Sequence, residues 1–306
     1  MKLLFLTQQF DIKIDSNLAL LTTACLDIGI AVAWGSVDHL GLHAGNVSTI
    51  GVEYDPPELP LTHKSQDTPL NCHEFDLIWI LSLGKRRSFL DKIQLLKLLE
   101  SKVRVINSTD ALLHLRSKYG LTQLGQLFQH PETHASNQME TLAEIIERGG
   151  QWVLKPPAGS LGQQVFLLDK DTDNYRSILS HLMGQNQDQY LLLQAYLPSI
   201  KRGEKRVLVA GGQVVGCYLR QLVDDHRTNL SQGGKAELST LSEKELRLAE
   251  AVGQHCLMLG AEFIGIDLLY PYVIEINVIN PGGLGTLQAL GADISAIDIL
   301  ARILPT

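Results

Sequence analysis

The chain has 306 residues, of which 45% are hydrophobic and 19% are charged, and its formal net charge is −7. This length exceeds that of a typical single domain and predicts two domains, or one domain that is subdivided. The negative charge, without any basic run, argues against a general nucleic-acid-binding protein, and no apolar run is long enough to predict a membrane span.

The first half of the chain alternates strands with helices. It begins with MKLLFLTQQF, which predicts a buried strand over residues 3–7 rather than a signal peptide, because polar residues follow the short apolar run at once. The next predicted elements are a helix over 17–27, a strand over 30–34, a polar loop over about 53–74, a strand over 75–80, a helix over 89–99 and a strand over 103–106. This alternation predicts an α/β N-terminal domain with a small parallel sheet. No GxGxxG follows the first strand, so a typical dinucleotide site is not expected.

The second half is predicted to be α+β with mostly antiparallel sheets. Ser108 is expected to cap a helix that carries Lys118. The strands that follow are predicted over 151–155, 165–168, 191–196, 206–210 and 214–220, the last two joined by a Gly211-Gly212 turn, with a helix over 243–259. Four cysteines without CxxC spacing indicate buried, reduced thiols in a cytoplasmic protein.

The segment FIGIDLLYPYVIEINV predicts a metal site on a β-hairpin. Glu275 and Asn277 lie two residues apart and should project from one face of a strand, with Asp267 across from them on the preceding strand. The apolar residues at 274, 276 and 278 are expected to point the other way, into a core. A purely structural strand would carry apolar residues here, since buried carboxylates without partners are costly. Three oxygen-bearing side chains are instead suited to Mg²⁺.

Lys155 ends an apolar strand beside a loop that contains Gly159, Ser160 and Gly162. A lysine in this position can reach a phosphate, and the backbone N–H groups of such a loop can surround phosphate oxygens. The loop is not a P-loop, because no GK[ST] precedes a helix. Taken alone, the pattern fits a snorkelling lysine beside a surface hairpin better.

Two further connections have features of a nucleotide site. Residues 194–206 join an apolar strand to a basic one through a Pro-bearing connection whose backbone could contact a purine edge, and Glu204 could hold ribose hydroxyls. Alone, this segment is more typical of an interstrand loop. Residues 220–235 form a long polar segment that could close as a lid carrying Arg227 and Asn229, or could equally be an ordinary surface loop.

Together, these segments resemble the ATP-grasp superfamily, and their amino-acid sequences are most similar to bacterial glutathione synthetase. The similarity is clearest in YLPSIKRGEKRVLV, RTNLSQGG and the hairpin, and it extends to IKIDSNLALLTTACLDIGI near the N-terminus. It implies an ATP-dependent ligase that joins a carboxylate to an amine through an acylphosphate. It also implies ATP and Mg²⁺ (with Mn²⁺ as an alternative ion), a small-molecule or dipeptide substrate, a cytoplasmic location and a homo-oligomer. The implied domains are 1–115 and an ATP-grasp part at 116–306, subdivided into about 116–190 and 191–306.

The resemblance also implies roles for individual residues. Lys118 and Lys155 match the two lysines that bind ATP phosphates, and Glu204 matches an acidic position beside the ribose. Arg206 and Arg220 match basic positions that line the phosphoryl-transfer region. The remaining matches are the adenine hinge (Gln194, Ala195, Tyr196, Leu197), the phosphate loop (Gly159, Ser160, Gly162) and the Mg²⁺ ligands (Asp267, Glu275, Asn277).

The chain departs from the family pattern mainly where substrates should bind. Ala158 replaces an acidic residue and Leu161 a glycine of the phosphate loop, SLGKRRSFLD stands in place of an Asp-Pro-Pro motif, and VINPGGLG follows the hairpin. Gly282-Gly283 could form a backbone nest for a substrate carboxylate. Three hypotheses follow: a ligase for γ-glutamylcysteine and glycine, a ligase for another amino acid or peptide, and a nucleotide-binding protein with little or no catalysis.

Overall fold

The computed structural model describes residues 1–8, 10, 16–54, 67–125, 127–157, 164–184, 186, 188–221 and 234–304. Its N-terminal part contains one mixed sheet and two longer helices. The strands are β1 (Lys2–Thr7), β2 (Ala31–Ser36), β3 (Gly41–His43), β4 (Asn46–Tyr54), β5 (Thr68–Asn71), β6 (Leu77–Ile80) and β7 (Arg104–Ile106), and the helices are α1 (Ser16–Asp27) and α2 (Phe89–Glu100).

The predicted parallel sheet is confirmed. β1 pairs in parallel with both β2 and β6, and β6 pairs in parallel with β7. Five of the six residues of β1 are buried, as expected of a central strand that is covered on both faces.

The prediction of a loop over about 53–74 is wrong at both of its ends. β4 continues to Tyr54 and pairs antiparallel with β2, and β5 pairs with β4. The physical reason is visible in β4, whose residues alternate largely between exposed and buried over Asn46–Val52. That alternation is the signal of a strand with one covered face. Residues 55–66 lie outside the described part of the chain.

The helix that was predicted to carry Lys118 ends before it. The Ser108 hydroxyl caps α3 (Thr109–Leu115), as expected, by accepting from the Ala111 amide. Lys118 precedes the separate short helix α4 (Tyr119–Gln123). Its amide donates to Pro157 O at 3.1 Å instead of to a carbonyl one turn earlier, so the helix does not continue.

A four-stranded antiparallel sheet follows, with its own small core. Its elements are β8 (Thr133–Ser136), α5 (Met139–Glu147), β9 (Trp152–Lys155), β10 (Phe166–Leu168), α6 (Tyr175–Met183) and β11 (Leu191–Ala195). The strand order is β10-β9-β11-β8, and the two helices contribute Leu142 and Leu179 to a core that also contains Trp152.

The last part of the chain forms a five-stranded antiparallel sheet. Its elements are β12 (Glu204–Ala210), β13 (Gln213–Gln221), β14 (Lys235–Leu238), α7 (Glu243–Met258), β15 (Phe263–Leu269), β16 (Tyr272–Asn277), α8 (Leu284–Ala289) and α9 (Ala296–Ile303). The strand order is β14-β13-β12-β15-β16. Gly211 and Gly212 both have positive φ, at 56° and 73°, which confirms the predicted tight turn between β12 and β13.

The five-stranded sheet shares its cores with the N-terminal sheet. Leu4 and Ile78 belong to the same buried cluster as Ile264, and the Trp79 and Phe263 rings meet edge to face with centroids 5.7 Å apart. No helix in the described ranges is long and apolar enough to cross a membrane.

Candidate functional site

One face of the five-stranded sheet carries most of the predicted site residues. Directly paired residues of an antiparallel sheet share a face, and the observed pairs are Glu204 with Arg220, Arg206 with Asp267, and Asp267 with Glu275. Asn277 lies two residues beyond Glu275 and therefore has the same orientation. We call this set of side chains the polar face: Glu204, Arg206, Arg220, Asp267, Glu275 and Asn277.

The predicted hairpin is confirmed, but the prediction that Ile274 points into the core is wrong. The pairing of β15 with β16 slips after Asp267, so that Leu268 faces Val273 and Ile274 is an extra residue in the ladder. Val273 is fully buried, whereas Ile274 is only half-buried. The slip is a β-bulge, which strict alternation in the sequence could not reveal.

Asp267 is held between two arginines. Nε of Arg206 lies 2.6 Å from Asp267 Oδ1, and Nη2 of Arg220 lies 2.8 Å from Asp267 Oδ2. Arg220 also contacts the carboxylate of Glu204. All four residues are less than 9% exposed, and their two positive and two negative charges balance, as buried charges require.

The electrostatic environment lowers the pKa of Asp267 and raises the pKa of Arg220. Burial acts to raise the pKa of Asp267, but the charges and hydrogen bonds of Arg206 and Arg220 outweigh it and hold the pKa below its ordinary value. Burial acts to lower the pKa of Arg220, and Asp267 and Glu204 raise it instead. Nε of Arg220 is buried without a hydrogen-bond partner among the described residues.

Lys118 reaches the polar face from a distant part of the sequence. Its Nζ lies 3.0 Å from Glu275 Oε1, although the two residues are 157 positions apart. Lys118 is 6% exposed, while the Glu275 side chain is 27% exposed and remains open to solvent on one side. The Lys118 backbone contact with Pro157 also places it beside the start of the predicted phosphate loop.

Lys155 lies on β9 of the four-stranded sheet and is 8% exposed. Its Nζ donates to Gln194 Oε1 at 2.6 Å, which brings together the predicted phosphate lysine and the first residue of the predicted hinge. Burial and the positive charge of Lys118 lower the pKa of Lys155 to about 8. A buried cation that is destabilised in this way is stabilised by an incoming anion.

The predicted hinge follows β11 directly. The Ala195 amide donates to Glu132 O and the Tyr196 amide to Gln151 O, both at 2.8 Å, so neither N–H is available to a ligand. Among the backbone hydrogen bonds of the described residues, none is donated by the Leu197 N–H. Glu204, which was predicted to contact ribose, is 5% exposed and pairs with Arg220.

The predicted carboxylate nest adjoins the polar face. Gly282 O accepts a hydrogen bond from Arg206 Nη1 at 3.2 Å. A Cβ at Gly283, whose φ is +137°, would come within 2.9 Å of the Tyr218 ring. Tyr218 is a site residue that the sequence reasoning missed. It is buried on β13, two residues before Arg220, and this spacing was the available signal that it shares the polar face.

Five predicted site residues lie outside the described part of the chain: Gly159, Ser160, Gly162, Arg227 and Asn229. The altered loop positions Ala158 and Leu161 lie outside it as well.

The three predicted Mg²⁺ ligands share the polar face, and both carboxylate oxygens of Asp267 accept hydrogen bonds from Arg206 and Arg220 there. Among the described residues, no group of three His, Cys, Asp or Glu side chains could hold a metal ion. The predicted ligands are a different set, which consists of two carboxylates and one amide. Asn277 Nδ2 faces Gly265 O at 3.5 Å, which leaves its carbonyl oxygen for a cation. Carboxylate and amide oxygens are ligands that Mg²⁺ accepts.

Comparisons with known proteins agree with this geometry. A family model described as prokaryotic glutathione synthetase, ATP-grasp domain, matches residues 118–291, which is more than half of the chain. The chain is 29% identical to a glutathione synthetase of Prochlorococcus marinus subsp. pastoris over 234 residues, covering 76% of this chain and 75% of that protein. It is also 29% identical to a glutathione synthetase of Agrobacterium fabrum, covering 79% and 71%.

Solved structures show the same fold at lower identity. The chain resembles a RimK domain ATP-grasp protein from Sphaerobacter thermophilus with a TM-score of 0.70 and 20% identity over the whole of both chains. The resemblance predicted from the sequence is thereby confirmed. The chain belongs to the prokaryotic glutathione synthetase family of ATP-grasp proteins and is an ATP-dependent ligase.

Proposed function

We propose that this ligase joins γ-glutamylcysteine to glycine through an acylphosphate and releases glutathione, ADP and phosphate. The contact between Lys118 and Glu275 carries the proposal, because it brings a predicted phosphate-binding cation onto the face that holds Asp267 and Asn277. The glutathione synthetases of Prochlorococcus and Agrobacterium supply the choice of substrates.

In this proposal, Lys118 and Lys155 bind the ATP phosphates, and Asp267, Glu275 and Asn277 hold Mg²⁺. Asp267 pairs with Arg206 and Arg220, and Glu275 pairs with Lys118. Once these cations turn to the phosphates, each carboxylate would repel a facing phosphate charge by about 1 kcal/mol at ~4 Å in water, and by about 4 kcal/mol at intermediate dielectric. The bound cation would supply the neutralising charge that makes this contact favourable.

The chain's own side chains position the reactants and balance their charge rather than form covalent bonds. Arg206 and Arg220 offer cationic donors to the group being transferred. Gly282-Gly283 is proposed to receive a substrate carboxylate, Glu204 to lie near the ribose, and the hinge from Gln194 to Leu197 to contact adenine. Arg227 and Asn229 are proposed to close over the substrates.

A ligase for a different acid is the second candidate. The segment that replaces the Asp-Pro-Pro motif has a conformation of its own, because the buried Lys92 pairs with Asp38 and donates to Leu83 O at 2.7 Å. This arrangement presents Lys85, Arg86 and Arg87 as exposed cations. In this second candidate, the three cations would bind the acid in place of the Asp-Pro-Pro motif.

We further propose that residues 1–115 form a substrate domain and residues 116–306 the ATP-grasp part. The resemblance to the family also supports a cytoplasmic homo-oligomer, which light scattering on the purified protein would test.

The deciding experiment is ADP release from the purified protein with Mg-ATP, γ-glutamylcysteine and glycine, with each component omitted in turn. Release that requires both substrates, with glutathione as the product, is the expected result. Release with other acids or amines only would favour the second candidate. Binding of Mg-ATP without release on any substrate pair would contradict ligase activity.

A further inference from the structure

Asn107 is a buried side chain whose hydrogen bonds are directed at the hairpin that carries the polar face and at Glu262, the residue just before that hairpin. It follows β7, is 3% exposed and belongs to the N-terminal part of the chain. Its Nδ2 donates to Phe263 O at 2.8 Å and to Val278 O at 2.7 Å. Its Oδ1 accepts from the Glu262 amide at 2.7 Å and from the Phe263 amide at 3.0 Å.

These four contacts use the two donors and two acceptor sites of a carboxamide. They also define its orientation, because a flipped amide would direct N–H groups at amides and an oxygen at two carbonyls. The chain lies close on all sides of Asn107, and no smaller polar side chain can make the same four bonds.

The partners of Asn107 lie at the open end of the β15–β16 hairpin. Phe263 is the first residue of β15, and Val278 is the residue that follows Asn277 at the end of β16. One carboxamide therefore holds the backbone of both strands at the end that is not closed by the turn. Asn277 adjoins Val278, and Asp267 lies four residues after Phe263 on β15, so a displacement of this end should move both side chains.

A second asparagine holds the segment that continues from the hairpin. Nδ2 of Asn17, which is 2% exposed, donates to Asn280 Oδ1 at 2.7 Å and to Pro281 O at 3.1 Å. Residues 278–281 are thus fixed by the N-terminal part of the chain at two separate points.

We infer that Asn107 is a positioning residue for the cation site formed by Asp267, Glu275 and Asn277, an inference that rests on the proposed function of that site. Groups that hydrogen-bond to metal ligands change metal affinity by about 10- to 100-fold when they are removed, and Asn107, which holds the backbone next to Asn277, should act at the lower end of that range. Lys155 and the hinge lie on other elements, and Lys118 is held by Pro157 O as well as by Glu275. Asn107 should therefore affect cation-dependent nucleotide binding and have little effect on cation-independent binding.

The test is calorimetric titration of the full chain with ADP, once with excess Mn²⁺ and once with a chelator, at a temperature where each variant is folded. We expect Asn107→Ala to raise the Kd for ADP with Mn²⁺ about tenfold or more and to change the Kd without metal by less than about twofold. Arg104→Gln is the matched control. Arg104 also extends from β7 to the five-stranded sheet, through the Glu262 carboxylate and Ile303 O, but it does not contact the hairpin. The Kd values of Arg104→Gln for ADP, with and without Mn²⁺, should match those of the wild type.

Unchanged Kd values in Asn107→Ala would overturn the inference. Equal increases in Kd with and without Mn²⁺ would also overturn it, because a merely structural loss weakens ADP binding under both conditions. If Asn107→Ala does not fold, Asn107→Ser, whose shorter hydroxyl can replace at most part of the four hydrogen bonds, is measured with the same criteria. The wild type is measured first. ADP binding that Mn²⁺ does not strengthen would overturn the cation site itself and the inference with it.

Discussion

At the scale of single residues, Lys155 is a cation whose burial costs stability until an anion arrives. Its pKa is lowered from about 10.5 to about 8, chiefly by burial. At about 1.4 kcal/mol per pH unit, its charge costs the folded state roughly 3 kcal/mol below pH 8. The unfolded chain binds the extra proton between pH 8 and 10.5, so this cost falls as the pH rises through that range.

Lys155 predicts a pH-dependent affinity for nucleotide. A bound phosphate favours the protonated amine, so the affinity for ADP should fall as the pH rises above about 8, by up to about tenfold per pH unit. Calorimetric titration with ADP in metal-free buffer between pH 7 and 10 measures this. Lys155→Met should bind ADP more weakly and without that pH dependence. Parallel pH profiles for the two proteins would show that Lys155 does not bind the phosphates.

The two carboxylates of the predicted cation site should differ in their contribution to stability. Asp267 is 5% exposed and neutralises two buried arginines, so Asp267→Asn should lower the free energy of unfolding by about 3–5 kcal/mol. Glu275 is partly exposed and pairs with Lys118, so Glu275→Gln should abolish turnover and leave the fold intact. Urea unfolding together with ADP release measures both effects. Equal losses of stability would contradict the difference in burial, and full activity in Glu275→Gln would remove it from the cation site.

At the scale of elements, local patterns predicted strands and helices but not their contacts. The hairpin could be predicted because the polar residues Glu275 and Asn277 interrupt an apolar strand at a spacing of two. The clamp of Arg206 on Asp267 could not, since it depends on the register between β12 and β15. The contact between Lys118 and Glu275 spans 157 positions, and no local pattern encodes such a distance.

The missed elements have local reasons of their own. β5 contains a proline and only four residues, so its composition resembles a loop, and its pairing with β4 makes it a strand. The break after α3 depends on the carbonyl of Pro157, which is remote in sequence. Asn107 carried no signal, because an asparagine after a strand is typical of a turn, and its role becomes visible only through its four partners.

At the scale of the whole molecule, the buried clusters join sheets that are not consecutive along the chain. Leu3 and Trp79 of the N-terminal sheet share a cluster with Leu208 and Phe263 of the five-stranded sheet. The four-stranded sheet has a separate and smaller cluster that contains Trp152. Residues that share one core unfold together. We therefore expect the N-terminal and five-stranded sheets to form one cooperative unit and the four-stranded sheet to form another.

The three tryptophans of the chain report on these units separately. Trp34 and Trp79 lie in the shared cluster, and Trp152 lies in the small one. The core around Trp152 buries less apolar surface than the shared cluster. On urea unfolding, the fluorescence of a variant that retains only Trp152 should therefore change at a lower urea concentration than the fluorescence of Trp152→Phe. ADP should stabilise the Trp152 unit, which contains Lys155 and Gln194, by about 2.7 kcal/mol at a concentration one hundred times its Kd. Superimposable curves for the two variants, with or without ADP, would mean that the chain unfolds as a single unit and that nucleotide binding stabilises all three sheets together.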